Sequence, residues 1–223
     1  RPDRHPDARC PIKSKLLQIN ALRGHLTEHG VVVPIGLQNL PRLDAAVHDD
    51  ELLPEEVRVF CCELLSHVAD LSRRITALDK RLRAQAHADE LASRLMAIPG
   101  IGPICASAIE ALAPPASTFR KGRDFAAWIG LVPSQTSSGG KERLGRISKQ
   151  GQRDLRRLLV IGASSVVRWV RTRGTVGDGW LSRMLARKPL QVVIVALANR
   201  MARIAWALIA TGTSYRPAAS PIS

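Results

Sequence analysis

Apolar residues along this chain recur mainly at helical intervals. Leu16, Ile19, Leu22 and Leu26 share one face of a first helix, which Gly30 can stop. A turn-rich linker follows, with Pro34, Gly36, Asn39 and Pro41. Pro54 then stands where a long helix begins. Val57, Phe60, Leu64, Val68, Leu71, Ile75, Leu78 and Leu82 follow in steps of three or four, beside Arg73, Arg74, Lys80, Arg81 and Arg83. Such a near-heptad stripe packs either on its own domain or, as a helical hairpin or coiled coil, on a second copy. From Leu91 to Ala113 two helical stretches flank the tight connection Pro99-Gly100-Ile101-Gly102. Pro114-Pro115 breaks the chain before a helix through Phe125–Ile129 that ends near Gly130. The stretch Ser134–Gly151 holds four serines and four glycines and reads as a polar loop. A helix resumes at Gln152 with Leu155, Leu158, Leu159, Gly162, Val166 and Trp169 on one face. A turn with Gly174, Gly177 and Gly179 follows, and Pro189 opens a last apolar helix from Leu190 to Leu208. The expected fold is all-α, in three parts: an N-terminal helical remnant and linker (1–50), a long coiled-coil-like helix (51–90) and a helical C-terminal domain (91–215).

Composition adds a partner. Apolar residues make up 45% of the chain but aromatics only 4%, so the core must be mainly aliphatic. The formal net charge is +14 and the pI about 10.9, which suggests a polyanion. The charge is concentrated: between Arg120 and Arg173 stand thirteen Lys/Arg against three acids, +10 of the +14. Cys10, Cys61, Cys62 and Cys105 show no paired spacing and read as reduced thiols. No His/Cys cluster has metal-ligand spacing, so no metal site is expected in this chain. Val192–Ala210 is apolar enough to suggest a membrane span, but Arg200 and Arg203 interrupt it, so no membrane partner is expected. Arg1–Pro11 lacks the form of a signal peptide, and the first residue is not Met, as expected of a processed product or a piece of a longer chain.

Two motifs carry chemistry. Apolar-Pro-Gly-apolar-Gly between two helices is the helix–hairpin–helix pattern. Gly100 and Gly102 would let backbone approach a phosphate, and N–H groups opening the second helix would face that anion. Packing of the two helices is the competing role for these glycines. The second motif is Ser137-Ser138-Gly139-Gly140-Lys141, with Arg143, Arg146 and Lys149 close behind and Arg153, Arg156 and Arg157 on the next helix. A serine hydroxyl becomes a nucleophile when its proton is withdrawn or its oxyanion stabilised. Nearby cations also stabilise the charge that develops in phosphoryl transfer. Passive contact of a Ser/Gly loop with DNA is the alternative, and Ser148 can equally serve as the N-cap of the following helix.

The run Phe125-Ala-Ala-Trp-Ile-Gly-Leu-Val-Pro, then Ser-Ser-Gly-Gly-Lys-Glu-Arg-Leu-Gly-Arg-Ile-Ser-Lys-Gln-Gly, then Leu155-Arg-Arg-Leu-Leu-Val, resembles the C-terminal domain of DEDD-type insertion-sequence transposases. These form the insertion-sequence 110/1111 family, the bridge-RNA-guided recombinases. The resemblance covers about residues 12 to 210 and is most specific from Leu95 to Val160. It implies a helix–hairpin–helix transposase domain whose serine attacks a DNA phosphodiester to form a phosphoserine linkage. Ser138 matches that serine, with Ser137 as the second choice. It also implies an N-terminal RuvC-like domain whose four carboxylates bind metal. That domain has no counterpart here, and the extra Pro6 keeps Asp3 and Asp7 from being matched to its closing signature. Mg²⁺ is therefore expected only with the missing domain. A guide RNA, a second copy joined through the long helix, and a cytoplasmic, nucleoid-associated location are the further expectations. A non-catalytic DNA- or RNA-binding module with the same basic surface remains the alternative.

Overall fold

The computed structural model describes residues 9–49, 53–138, 141–173 and 179–216. The Asp3–Ala8 segment, the Gly139-Gly140 pair and the glycine turn at 174–178 lie outside the described residues. The all-α expectation holds: among the described residues there are nine α-helices and one two-stranded sheet. The chain divides into two compact units, with the boundary between Arg81 and Leu82.

The first unit contains α1 (Arg9–Glu28), α2 (Leu40–Asp49) and the first part of α3 (Glu55–Ala88). Its core joins Ile19, Leu22 and Leu26 of α1 to Leu43 and Val47 of α2 and to Cys61 and Val68 of α3. α1 stops as the sequence suggests. Gly30 takes a left-handed φ of 83°, and Val31 N–H returns to the Leu26 carbonyl. Arg58 ties α3 to the end of α2 by donating through Nη1 to the Val47 and His48 carbonyls. The long apolar stripe is one continuous helix of 34 residues. It is only partly covered: Val68 is buried, whereas Phe60 and Leu78 are 44% and 40% exposed.

The second unit is built from α4 (Glu90–Met96), α5 (Pro103–Leu112), α6 (Gly122–Ile129), α7 (Arg153–Arg173), α8 (Gly179–Arg187) and α9 (Leu190–Thr211). α9 is long and apolar enough to cross a membrane, yet here it is the helix against which α4, α6, α7 and α8 pack. Val193, Ala198, Met201, Ala202 and Ala205 lie within that core, while Arg203 is exposed.

Between α6 and α7 the polar stretch read as a loop is instead an antiparallel hairpin, β1 (Pro133–Ser138) with β2 (Lys141–Ile147). Its strands carry no strict alternation of apolar and polar residues, the sequence mark of a half-buried strand. Ser134 and Gln135 are exposed, and backbone hydrogen bonds tie the chain leaving β2 to the end of α6.

Cys61, Cys62 and Cys105 are free thiols. Burial pushes the Cys105 thiol up to about 12, and burial followed by neighbouring Cys62 raises that of Cys61. At pH 8 Cys105 thiolate should therefore be about a thousandfold scarcer in the folded chain than in the unfolded one. Alkylation mapped by mass spectrometry should find Cys105 protected until denaturant is added. Rapid native labelling at pH 8 would contradict its burial.

Candidate nucleic-acid interface

The hairpin stands on a base that the sequence builds at α6. Gly130 ends that helix in the left-handed conformation (φ 82°) and directs Leu131 N–H back to the Ala126 carbonyl. The chain returning from β2 then runs against this helix end. Ser148 N–H donates to Val132 O (2.9 Å), Lys149 N–H to Gly130 O (3.3 Å) and Gln152 N–H to Trp128 O (3.4 Å). Two glycines make the approach possible. A Cβ on Gly130 would overlap the Gln150 carbonyl, and one on Gly151 would overlap the Trp128 carbonyl. Ser148, two residues beyond the Gly145-Arg146 pair of β2, is thus part of this clamp; it is not the N-cap of α7, which begins at Arg153.

Arg156 closes the clamp from α7. It is half-buried, and its Nη1 donates to Ile129 O (2.7 Å) and Gln150 O (3.2 Å). The sequence grouped Arg156 with Arg153 and Arg157 as a DNA contact; the structure gives this guanidinium two internal carbonyls. Arg156→Ala should leave both carbonyls short of a donor, at about 1–3 kcal/mol. Hydrogen exchange should then quicken at Leu131, Ser148 and Lys149 while α9 stays protected. Uniform exchange across the unit would show that Arg156 supports the whole core and not the hairpin base.

At the far end the backbone register pairs Ser138 with Lys141, Ser137 with Glu142 and Thr136 with Arg143. Directly paired residues in an antiparallel ladder have Cα atoms about 4.5–5.5 Å apart. Ser138 therefore has a lysine as its cross-strand neighbour, and Ser137 a glutamate. Nearer the base, Arg146 and Lys149 are exposed. Lys149 is the one described non-glycine residue with positive φ, at 55°.

Arg153 and Arg157 are exposed on α7, and they belong to a longer row. At about 100° per residue, Arg153, Arg157, Ser164, Arg168 and Arg171 fall within an arc of about 60°. All four arginines are exposed, and Leu155, Leu159 and Val170 are buried on the far side of the helix. The row is about 27 Å long, enough to follow roughly eight base pairs. Arg168 and Arg171 were not among the sequence-derived site residues, although their spacing from Arg153 and Arg157 would have placed them there.

The two glycines of the α4–α5 connection differ. Gly100 has φ 90°, and its carbonyl lies against Gly162 of α7, so its requirement comes from packing. Gly102 precedes α5 in ordinary extended backbone (φ −91°, ψ 177°); it is exposed, and a Cβ there would meet nothing within 4 Å. Among the described residues nothing stands close enough to demand glycine at 102. Among the described residues no group of three or more His, Cys, Asp or Glu could hold a metal ion.

Comparison with known proteins bears on this arrangement. Residues 92–175 match the family model described as the transposase IS116/IS110/IS902 family. The chain is 41% identical over 208 residues to a putative transposase, y4pF/y4sB, of Sinorhizobium fredii, covering 93% of this chain and 54% of that protein. It is 41% identical over 209 residues to a probable family 20 transposase of Pseudomonas aeruginosa, covering 92% of this chain and 62% of that protein. A transposase for insertion sequence element IS1111A of Coxiella burnetii is 36% identical over 209 residues, covering 92% of this chain and 57% of that protein. The chain spans between about half and three fifths of the length of these relatives.

Proposed function

Residues 92–175 are shared with the IS116/IS110/IS902 transposases, and from that premise we propose that this chain is the DNA-gripping, serine-bearing part of such a transposase. The observation that carries the reading is the clamped hairpin. A hydroxyl meant to attack a phosphorus must be held in place, and the hairpin's two strands return to a base fixed by backbone hydrogen bonds and Arg156. Ser138 is the nucleophile. Its oxygen forms a bond to phosphorus while a bond from phosphorus to a deoxyribose oxygen breaks. The serine proton is lost, and the departing oxygen gains one. Lys141, paired with Ser138, favours the developing negative charge, as Glu142 beside Ser137 would not. Arg143, Arg146 and Lys149 extend that positive field.

The α7 arginines hold duplex DNA by its phosphates, which fixes position without reading sequence. Gly102 and the opening turn of α5 supply a further phosphate contact of helix–hairpin–helix type. Mg²⁺ belongs with the RuvC-like part expected upstream, so the isolated chain binds DNA without cutting it. A guide RNA, a second copy meeting the half-covered stripe of α3, and a place in the bacterial cytoplasm complete the reading.

Binding tests it. Each phosphate neutralised contributes about 0.9 to the slope of log affinity against log salt. The chain should show a slope of magnitude about 4 or more on arbitrary duplex, and Arg153→Glu with Arg157→Glu should lower it by about 2. A slope near zero, or one unmoved by the pair, contradicts the reading. Gly102→Val should weaken duplex binding several-fold and shift Tm by only a few degrees, since the site is open; an unfolded variant would assign Gly102 to packing.

A further inference from the structure

Beside the hairpin base, on the side formed by α9, lies a groove of about 1730 Å³. It is larger than the roughly 300–1,000 Å³ typical of small-molecule pockets, so a polymer segment suits it better. Six cations line it: Lys121, Arg123, Arg146, Lys149, Arg200 and Arg203. The one acid in the lining, Asp124, is engaged as the cap partner of α6, accepting the Lys121 backbone N–H at 3.2 Å. The floor between these charges is apolar, with Val192 (49% exposed), Val195 and Leu131. Trp180 stands in the wall, with the Arg200 guanidinium 4.9 Å from its ring centroid. None of these residues is on the α7 face assigned above to duplex.

We infer that this groove holds an unpaired nucleic-acid strand, an assignment that rests on the reading of the chain as a DNA-handling protein. Charge complementarity selects a polyanion. The apolar floor then decides between its forms. A duplex presents phosphates and sugars outward and keeps its base faces stacked inside, so Val192 and Val195 would meet only polar backbone. A single strand offers both a charged backbone for the rim and flat base faces for the floor and the tryptophan. The groove reaches Gly145 and Arg146 of β2, so an unpaired strand lying in it leads onto the hairpin that bears Ser138.

The test uses the full chain and a fluorescein-labelled DNA strand of about 12 nucleotides, alone and annealed to its complement. Arg123→Glu with Arg203→Glu changes two exposed groove residues. It should weaken binding of the strand by about tenfold or more and that of the duplex by less than about threefold. Arg153→Glu with Arg157→Glu should do the reverse. Circular dichroism melts confirm that each variant is folded, and Val192→Asp should repeat the strand-selective loss with a single change in the floor. If the groove variants weaken strand and duplex alike, or neither, the groove assignment is wrong while the α7 reading stands. A labelled poly-glutamate peptide that binds as tightly as the strand, and is lost in the same variants, would also overturn it in favour of an acidic protein partner. Absence of binding to both strand and duplex by the unmodified chain would remove the DNA-handling reading itself.

Discussion

Gly162→Ala is expected to lower the stability of the second unit by about 2 kcal/mol, against the direction that helix propensity alone gives. Gly162 lies within α7, where alanine is ordinarily worth about 1 kcal/mol more than glycine. That gain is outweighed because a Cβ here would overlap the Gly100 carbonyl, and a second nearby atom is Met201 Cε at 3.4 Å. Gly100 cannot retreat easily: its own φ is 90°, and its α-carbon is hemmed by Met201 Cε and Val166 Cγ2, each 2.9 Å from where a Cβ would stand. Overpacking of this kind costs about 1–3 kcal/mol or more, and backbone yields less readily than a side chain. For a unit of this size the melting temperature should fall by about 5 °C or more. Thermal unfolding followed by circular dichroism decides the sign. A rise in Tm would mean that α7 and the α4–α5 connection are not in backbone contact.

That contact also shows where the sequence was legible and where it was not. Helices were readable because Leu155, Leu159, Val193 and Met201 bury one face each, and burial leaves a 3.6-residue rhythm. The hairpin left no rhythm. Its strands carry few apolar residues, and it is held by bonds to Trp128, Gly130 and Val132, whose need for partners is invisible in composition. The same blindness affected single residues. Arg156 looked like its neighbours Arg153 and Arg157 because helical position, and not residue type, turns it toward Ile129 O and Gln150 O. Gly100 and Gly102 looked like one motif, yet the first is fixed by α7 and the second has none of the described residues within 4 Å of a Cβ position. The Ser-Gly motif was visible from residue types alone. Its pairing partners, Lys141 for Ser138 and Glu142 for Ser137, became apparent only from the register.

Ser138→Ala should abolish covalent attachment to DNA and leave affinity for DNA nearly unchanged. In the proposed reaction one hydroxyl contributes little to binding among several phosphate contacts, but it supplies all of the nucleophilicity. Ser137→Ala should retain attachment, because its cross-strand partner is an acid and its loss leaves the Ser138–Lys141 pair in place. The isolated chain, in which no described group could hold a metal, should bind DNA and form no adduct with or without Mg²⁺. Adduct formation is expected when the chain is joined to the remaining part of the Sinorhizobium fredii relative, of which it spans 54%, and supplied with Mg²⁺ and a guide RNA. The decisive measurement is a denaturing gel of that completed protein with labelled DNA, followed by mass spectrometry of the DNA-linked peptide. The account predicts a nucleotide on Ser138, lost in Ser138→Ala and kept in Ser137→Ala. An adduct that persists in Ser138→Ala, or a linkage mapped to any other residue, would contradict it.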